Sequence, residues 1–526
     1  MSNLQTRIDG HLATLTRPQS PGHAVAVARH GELLYASGHG LASLEQRSGI
    51  GADTLFRIAS VSKQFTVAAG LRLAAQGRLD LAADARGLLA ELAQLPQAVT
   101  VDQLMRNCSG LPDFLELLRL GGVGLEQLTR RASMAAALAR NRHLNSKPGS
   151  RFLYCNSNYL LLGLLVERLS GQSLGDYLQQ AFFAPLGMTQ TRMVPACDQV
   201  LPGLAAPYLR QEDDGGYRRA LHGFEHGGEG GLVSNVLDLT RWAQALLAPR
   251  SELAALAEAL MAPTLLSGAQ PSPYARGLEH SRWRGHACVG HGGLWPGYRS
   301  EFLLLPAEGL SIVVISNDSG SNPYKLAREL LDLLLPPTAM AEPTAPPAPD
   351  WAGDWINAEA GLLLGLQRGP GTRLTARQWG QCFELYPEAD GSWLPLRGAY
   401  EFRLRAGPAG TLLLETGAGR QHELQRLARR EPLPAGLAGR WHCADIASHW
   451  DITAEGEVSV HGPLMRSPQP WQLLGLTDTL MELRAPGYWM SSSQLLRVAE
   501  RGADGRIIGL SLDSSRIRGL RFSPLP

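Results

Sequence analysis

The chain opens on a short apolar alternation. His23 to Arg29 reads as a strand, His30-Gly31 as a turn, and Glu32 to Ser37 as the return strand. From Ser60 to Gln76 the pattern turns helical, and Gly77 supplies the stop. Asn158 to Leu169 is a second apolar helix, ended by Ser170-Gly171. Phe302 to Leu305 and Ser311 to Ile315 make another hairpin, of strands apolar enough to be buried, and Pro323 to Leu335 reads as a helix that packs on that sheet. Strands at both ends with helices between them predict an α+β domain over residues 1–335.

Residues 336–350 hold six prolines and read as a stiff linker. Beyond it the texture becomes all-β, with short alternating runs such as GLLLGL, CFELY, YEFRLR and TLLLET separated by turn signals. Ala352-Gly353-Asp354-Trp355 echoes Ala438-Gly439-Arg440-Trp441. We therefore expect two similar small antiparallel β-barrels of lipocalin-like texture, over 351–430 and 434–526, split near Glu431–Pro434.

Composition narrows the function classes. With 44% hydrophobic and 18% charged residues and a net charge of +1, the chain reads as soluble, with no bias toward nucleic acid or a membrane surface. No window offers 18 apolar residues in a row, and the N-terminus shows no signal-peptide pattern. The six cysteines are scattered without a CxxC pair, so free thiols and a cytoplasmic location are expected. His222 and His226 are four apart, but there is no HExxH and no Cys–His pairing at ligand spacing, and the glycine run 227–231 lacks the Lys-Ser/Thr of a P-loop. No metal or cofactor is expected.

The strongest chemical signal is Ser60-Val61-Ser62-Lys63. Positions i and i+3 of a helix share a face, and a serine hydroxyl needs a neighbouring base to become a nucleophile. Lysine can be that base when burial or another cation depresses its pKa. The helix start also brings backbone N–H groups toward a developing oxyanion. Further along, Tyr154 can share the proton, and Asn156 can hold the lysine and a substrate carbonyl. His291-Gly292-Gly293 precedes the Phe302–Ile315 hairpin, where glycines let a substrate backbone lie against a strand edge. Cys155, between Tyr154 and Asn156, reads as a thiol open to the cleft whose modification by a bulky reagent would inhibit.

S-x-x-K, then Y-x-N, then H-x-G, in this order, resembles the serine β-lactamase and DD-peptidase superfamily. Leu104 to Pro112 (LMRNCSGLP) is similar to the family's L-x-x-H-x-S-G-L-P, with Asn107 in place of His. Pro185–Met188 and Gly230–Ser234 resemble its PLGM turn and GG-L-x-S segment. The resemblance covers about residues 10–335. It implies Ser60, Lys63, Tyr154 and His291 as catalytic residues, with Asn156 and Gly293 binding substrate and backbone N–H groups of Ser60 and of the residue after Gly293 holding the oxyanion. Relatives that cleave β-lactams or D-Ala-D-Ala termini carry Lys where His291 stands, and a neutral imidazole is a weak carboxylate anchor.

The histidine, together with two trailing β domains, resembles the D-aminopeptidases. That implies release of an N-terminal D-residue such as D-alanine from peptides and amides, a homodimer, and β-lactams as possible inhibitors. In that family an acidic residue on a last-domain loop receives the substrate ammonium. Leu474–Tyr488 is the matching stretch, with Asp478 as the first candidate and Glu482 the second. An esterase or β-lactamase-like hydrolase of the same fold, or a non-catalytic peptidoglycan-fragment sensor, remain as alternatives.

Overall fold

The computed structural model describes residues 3–17, 19–211, 215–248, 253–335, 349–369, 374–388, 390–395, 402–416, 420–462, 470–486 and 492–525. Most of the proline-rich segment (336–348) lies outside the described residues.

Helix α1 (Asn3–Leu15) leads into β1 (His23–Arg29) and β2 (Glu32–His39). Helices α2 (Lys63–Ala75), α3 (Asn156–Ser170) and α4 (Val236–Leu247) follow, with shorter elements between them. Strands β3 (Glu279–Trp283), β4 (His286–Trp295), β5 (Tyr298–Leu305) and β6 (Leu310–Ser316) and helix α5 (Pro323–Leu334) complete the domain. The strands form one antiparallel sheet in the order β3-β4-β5-β6-β1-β2. The chain thus returns to its start, and Val25 lies opposite Val314.

Period-2 alternation divides the side chains between the two faces. Val25, Val27, Ile312 and Val314 pack with Ile8 and Leu12 of α1 and Leu326 and Leu330 of α5. Ala24, Ala26, Val313 and Ile315 belong instead to the core that holds Leu239 and Trp242 of α4 and the helical lobe. Both faces are covered, which is why these strands read as unbroken apolar runs.

Two closed eight-stranded antiparallel barrels follow. The first runs from Gly353–Asn357 to Arg420–Arg426 and closes where Trp355 meets Arg426. The second runs from Gly439–Cys443 to Leu520–Pro524 and closes where Trp441 meets Pro524. The repeated Ala-Gly-x-Trp opens each barrel in the same way. Trp355 Nε1 donates to the carbonyl of Trp351 (2.8 Å) and Trp441 Nε1 to that of Leu437 (3.0 Å), in both cases four residues back.

The second barrel docks on the α+β domain. Trp450 Nε1 donates to the carbonyl of Leu120 (3.2 Å), and Asn145 Nδ2 to that of Arg516 (2.9 Å). No helix among the described residues is long and apolar enough to cross a membrane. All six cysteines are free.

Candidate active site

The left-handed backbone at Ala59 (φ 49°) turns the chain into a short 3-10 segment, Ala59–Ser62, which runs directly into α2. Ser60 sits on that turn, so the regular helix begins at Lys63 rather than at the serine. Lys63 is fully buried. Its Nζ donates to Ser60 Oγ (3.0 Å), Asn156 Oδ1 (2.9 Å) and the carbonyl of Glu229 (2.7 Å). Burial pushes the Lys63 pKa down to about 7; Glu229 opposes the shift and Arg516 reinforces it.

Asn156, the first residue of α3, is fixed from behind by Asp113. Its backbone N (2.7 Å) and Nδ2 (2.9 Å) both donate to Asp113 Oδ2, while Asp113 Oδ1 caps the helix Phe114–Leu120. Asn107, where the family has histidine, accepts from Cys155 N (3.1 Å) and Asn158 Nδ2 (2.8 Å), so it braces the turn into α3. The Tyr154 ring lies 5.0 Å from Lys63 Nζ and 5.9 Å from the His291 ring.

The pairing of β3 with β4 ends at Gly290, which leaves residues 291–295 as a sheet edge beside Ser60. His291 is buried; its Nδ1 donates to the carbonyl of Gly292 (2.6 Å), and its Nε2 accepts from Tyr274 Oη (3.0 Å). Burial, with Lys63 adding to it, pushes His291 down to about 3, so the imidazole is neutral. A Cβ on Gly293 would stand 2.3 Å from the Ile58 carbonyl oxygen. Glycine here lets β4 press against the turn that carries Ser60.

The glycine run 227–231 wraps the start of α2. Thr66 Oγ1 donates to the Gly228 carbonyl (2.7 Å), and a Cβ on Gly228 would stand 2.5 Å from the Tyr159 carbonyl oxygen. The run carries Glu229 into the wall of the cleft. Glu229 Oε1 accepts from Gly227 N (2.8 Å), Oε2 is buried without a hydrogen-bond partner, and burial raises the pKa of this carboxyl. His226 Nε2 and Trp295 Nε1 line the same wall and are also unpartnered.

Together these residues border a cleft of about 990 Å3, walled by the sheet edge, the helical lobe and both barrels. Ser60, Tyr154, Asn156, His291 and Gly293 all line it, with Lys63 behind Ser60.

Other expectations are corrected. Asp478 is exposed on the turn between strands Pro470–Gly475 and Leu480–Ala485, and does not line the cleft. Its neighbours Leu476 and Leu480 pack on Ile356 and Leu363 of the first barrel. Glu482 is buried between the barrels, held by Arg377 (2.8 Å), Arg430 (2.9 Å) and Arg484 (3.0 Å). Successive turns of an antiparallel barrel lie at opposite ends, and it is the next one that faces the cleft, through Ala485, Pro486 and Ser492. Residues 487–491, which include the end of the Leu474–Tyr488 stretch, lie outside the described residues; their sequence, GYWMS, has no carboxylate. Cys155 is buried, with its thiol pushed up to about 12, so it is not open to the cleft.

Four contributors carried no motif: Asp113, Tyr274, Glu229 and Arg516. Arg516, on the last turn of the second barrel, places its guanidinium 3.5 Å from Asp113 Oδ2 and 5.0 Å from the Tyr154 ring centre. Only Asp113, as Asp-x-x-Glu before an apolar run, left a capping signal in the sequence.

A buried lysine bonded to a cleft serine, a tyrosine over the lysine and a neutral histidine on the sheet edge define a class of site on an α+β fold with an antiparallel sheet. Residues 6–335 match the Beta-lactamase family, and the chain belongs to it. Two curated relatives are similar along most of the chain. A D-aminopeptidase of Brucella canis is 29% identical, over 96% of each chain, and one of Gluconobacter oxydans is 28% identical, over 84% of each. Among solved structures, the octameric penicillin-binding protein homologue from Pyrococcus abyssi has a TM-score of 0.58 at 21% identity, covering 80% of this chain and 99% of its own. The D-amino acid amidase from Ochrobactrum anthropi SV3 complexed with D-phenylalanine has a TM-score of 0.53 at 21% identity, covering 63% and 97%. Both share the fold.

Proposed function

We propose that the protein is a D-aminopeptidase that works through a Ser60 acyl-enzyme. The observation that carries the reading is the Lys63–Ser60 contact, made by a lysine whose burial favours the neutral, proton-accepting form. Ser60 Oγ attacks the first carbonyl carbon, and Lys63 takes the hydroxyl proton. The tetrahedral oxyanion lies against the backbone N–H groups of Ser60 and Leu294. Lys63, with Tyr154 beside it, passes the proton to the departing amine as the C–N bond breaks. Water then cleaves the ester, returning hydrogen to Ser60 and freeing the D-amino acid.

Two further observations support a substrate with a free amino end. His291 is neutral, so the sheet edge offers no cation at that position. Glu229 Oε2 is a buried acceptor without a partner in the wall of the cleft, a place suited to an ammonium with three N–H donors. We assign ammonium recognition to Glu229 in place of Asp478. Relatives named D-aminopeptidase, one of them similar over 96% of each chain, support the stereochemical part of the reading.

The test is p-nitroaniline release from D-alanyl-p-nitroanilide against the L-enantiomer. Release from the D form, abolished by Ser60→Ala, is the expected result. Release from neither, with turnover of a short-chain ester or a chromogenic cephalosporin, would replace the substrate claim and leave Ser60 in place.

A further inference from the structure

The outer wall of the second barrel gathers histidines that no part of the cleft uses. Three consecutive strands, Gly439–Cys443, Ser448–Ile452 and Glu457–His461, pair antiparallel, with His442 opposite His449 and His449 opposite His461. Directly opposed residues point to the same face, and Asp451, two positions from His449, joins them. The alternate positions Trp441, Trp450 and Val460 are buried, which fixes the histidines on the outer side. The His449 and His461 rings stack with centres 4.7 Å apart and an interplanar angle of 7°. His461 Nε2 lies 3.3 Å from Asp451 Oδ2, and one ligand atom from each of His449, Asp451 and His461 falls within 4.8 Å of the others.

We propose that His449, Asp451 and His461 bind one divalent late-transition-metal ion, zinc being the ion to test. Two imidazoles and a carboxylate suit zinc or copper, whereas calcium and magnesium prefer all-oxygen shells. Zn–N bonds of about 2.0–2.1 Å put neighbouring donor atoms about 3.3 Å apart in a tetrahedron, so the cluster closes by side-chain rotation without strand movement. The carboxylate is contested: Arg440 donates to both oxygens of Asp451, at 2.7 and 3.0 Å. The site is half-exposed, so micromolar affinity with solvent in the remaining positions is expected. Spacing could not show it, because His449 and His461 are twelve residues apart and meet only through strand register.

The experiment titrates the full-length, chelator-treated protein with zinc sulfate against a chromophoric competitor. Free cysteines can also bind zinc, so the readout is the difference between the parent and the variant His449→Ala/His461→Ala. The proposal expects the variant to lose one micromolar equivalent, with affinity at that site down by at least about tenfold. Arg440→Ala is expected to bind more tightly, because it frees Asp451. Zinc should also raise the Tm of the parent and not of the variant. The single variant His461→Gln, which keeps a polar side chain of similar reach, covers the case in which the double variant fails to fold. Its hydrolytic activity, measured without zinc, reports an intact molecule. Equal stoichiometry and affinity in parent and variants would overturn the assignment, as would absence of a micromolar equivalent in the parent.

Discussion

Lys63 Nζ stands 3.0 Å from Ser60 Oγ inside a shell that hides it from water. Among the described residues its hydrogen bonds run to Ser60 Oγ, Asn156 Oδ1 and the Glu229 carbonyl, and of these partners the serine alone carries a hydroxyl proton. In the proposed mechanism the neutral amine is the active form, so kcat/KM should rise with pH through the folded-state lysine pKa, which burial pushes down to about 7. Ser60→Ala and Lys63→Ala should each lower kcat by roughly 10^3-fold or more. An acid limb near pH 10, or a Lys63→Ala variant at near-normal rate, would remove lysine from the role of base.

Glu229 supports two roles that can be separated. Its carbonyl holds Lys63, which any side chain preserves, while its carboxyl, on a residue lining the cleft, also raises the Lys63 pKa, so rates are compared on the high-pH plateau. Glu229→Gln keeps the size and removes the charge. The ratio of kcat/KM for a D-alanyl ester to that for the propionyl ester, which lacks only the amine, should fall by about 10- to 100-fold, the loss of a charge-assisted hydrogen bond of about 1.5–3 kcal/mol. If both esters lose rate in proportion, Glu229 serves the chemistry or the fold and not ammonium recognition.

Arg516 comes from a different domain, yet its charge is felt at Lys63 and tends to lower the lysine pKa. Removing a neighbouring cation makes protonation easier. Arg516→Ala should therefore raise the Lys63 pKa and move the acid limb of kcat/KM to higher pH, with the plateau at high pH less affected. A measured limb that stays in place would confine Arg516 to packing against Tyr154 and Asp113.

What the sequence made legible was local. Ser60 and Lys63 are three residues apart on the 3-10 turn that runs into the helix, so their contact follows from local geometry. The same holds for the β1–β2 hairpin, and for the two barrel openings, where tryptophan repeats its bond to the residue four back. Arg516 was not legible, because its approach to Tyr154 depends on how a barrel docks some 360 residues further along the chain. The place of Asp478, away from the cleft of its own chain, was not legible for a related reason. The composition of a loop says nothing about which end of a barrel it occupies, and its turn lies at the end away from the cleft. Glu229 was masked by its surroundings, since the glycines needed for close approach to α2 drew the comparison with a P-loop and left the carboxylate between them without a role.

The buried thiol of Cys155 gives a simple check on the packing of the turn into α3. Its pKa is pushed up to about 12 by burial, with Asp113 adding to the shift, and its Sγ faces the Pro112 carbonyl at 3.5 Å. In the native protein the exposed Cys382 should react with a disulfide reagent first, and Cys155 only on unfolding. Mass mapping of the labelled sites reads this directly. Rapid native labelling at Cys155 with loss of activity would mean that the turn opens.

Gly293 tests the closeness of sheet and nucleophile. Ser300 Oγ donates to the Ile58 carbonyl at 2.9 Å, and a Cβ on Gly293 would fall 2.1 Å from that hydroxyl oxygen and 2.3 Å from that carbonyl oxygen. The hydroxyl can rotate away; the carbonyl belongs to the turn just before Ser60 and can yield only if the turn moves. Gly293→Ala should cost about 1–3 kcal/mol of stability, seen as a lower Tm, and about 10^2-fold in kcat, because a shift of about 1 Å between edge strand and nucleophile misaligns the carbonyl under attack. Adding Ser300→Ala relieves one contact and not the other, so the double variant should recover part of the Tm and little of the rate. Full recovery of both would show that the Ser300 hydroxyl alone sets the spacing, and that the Ile58 carbonyl has room to retreat.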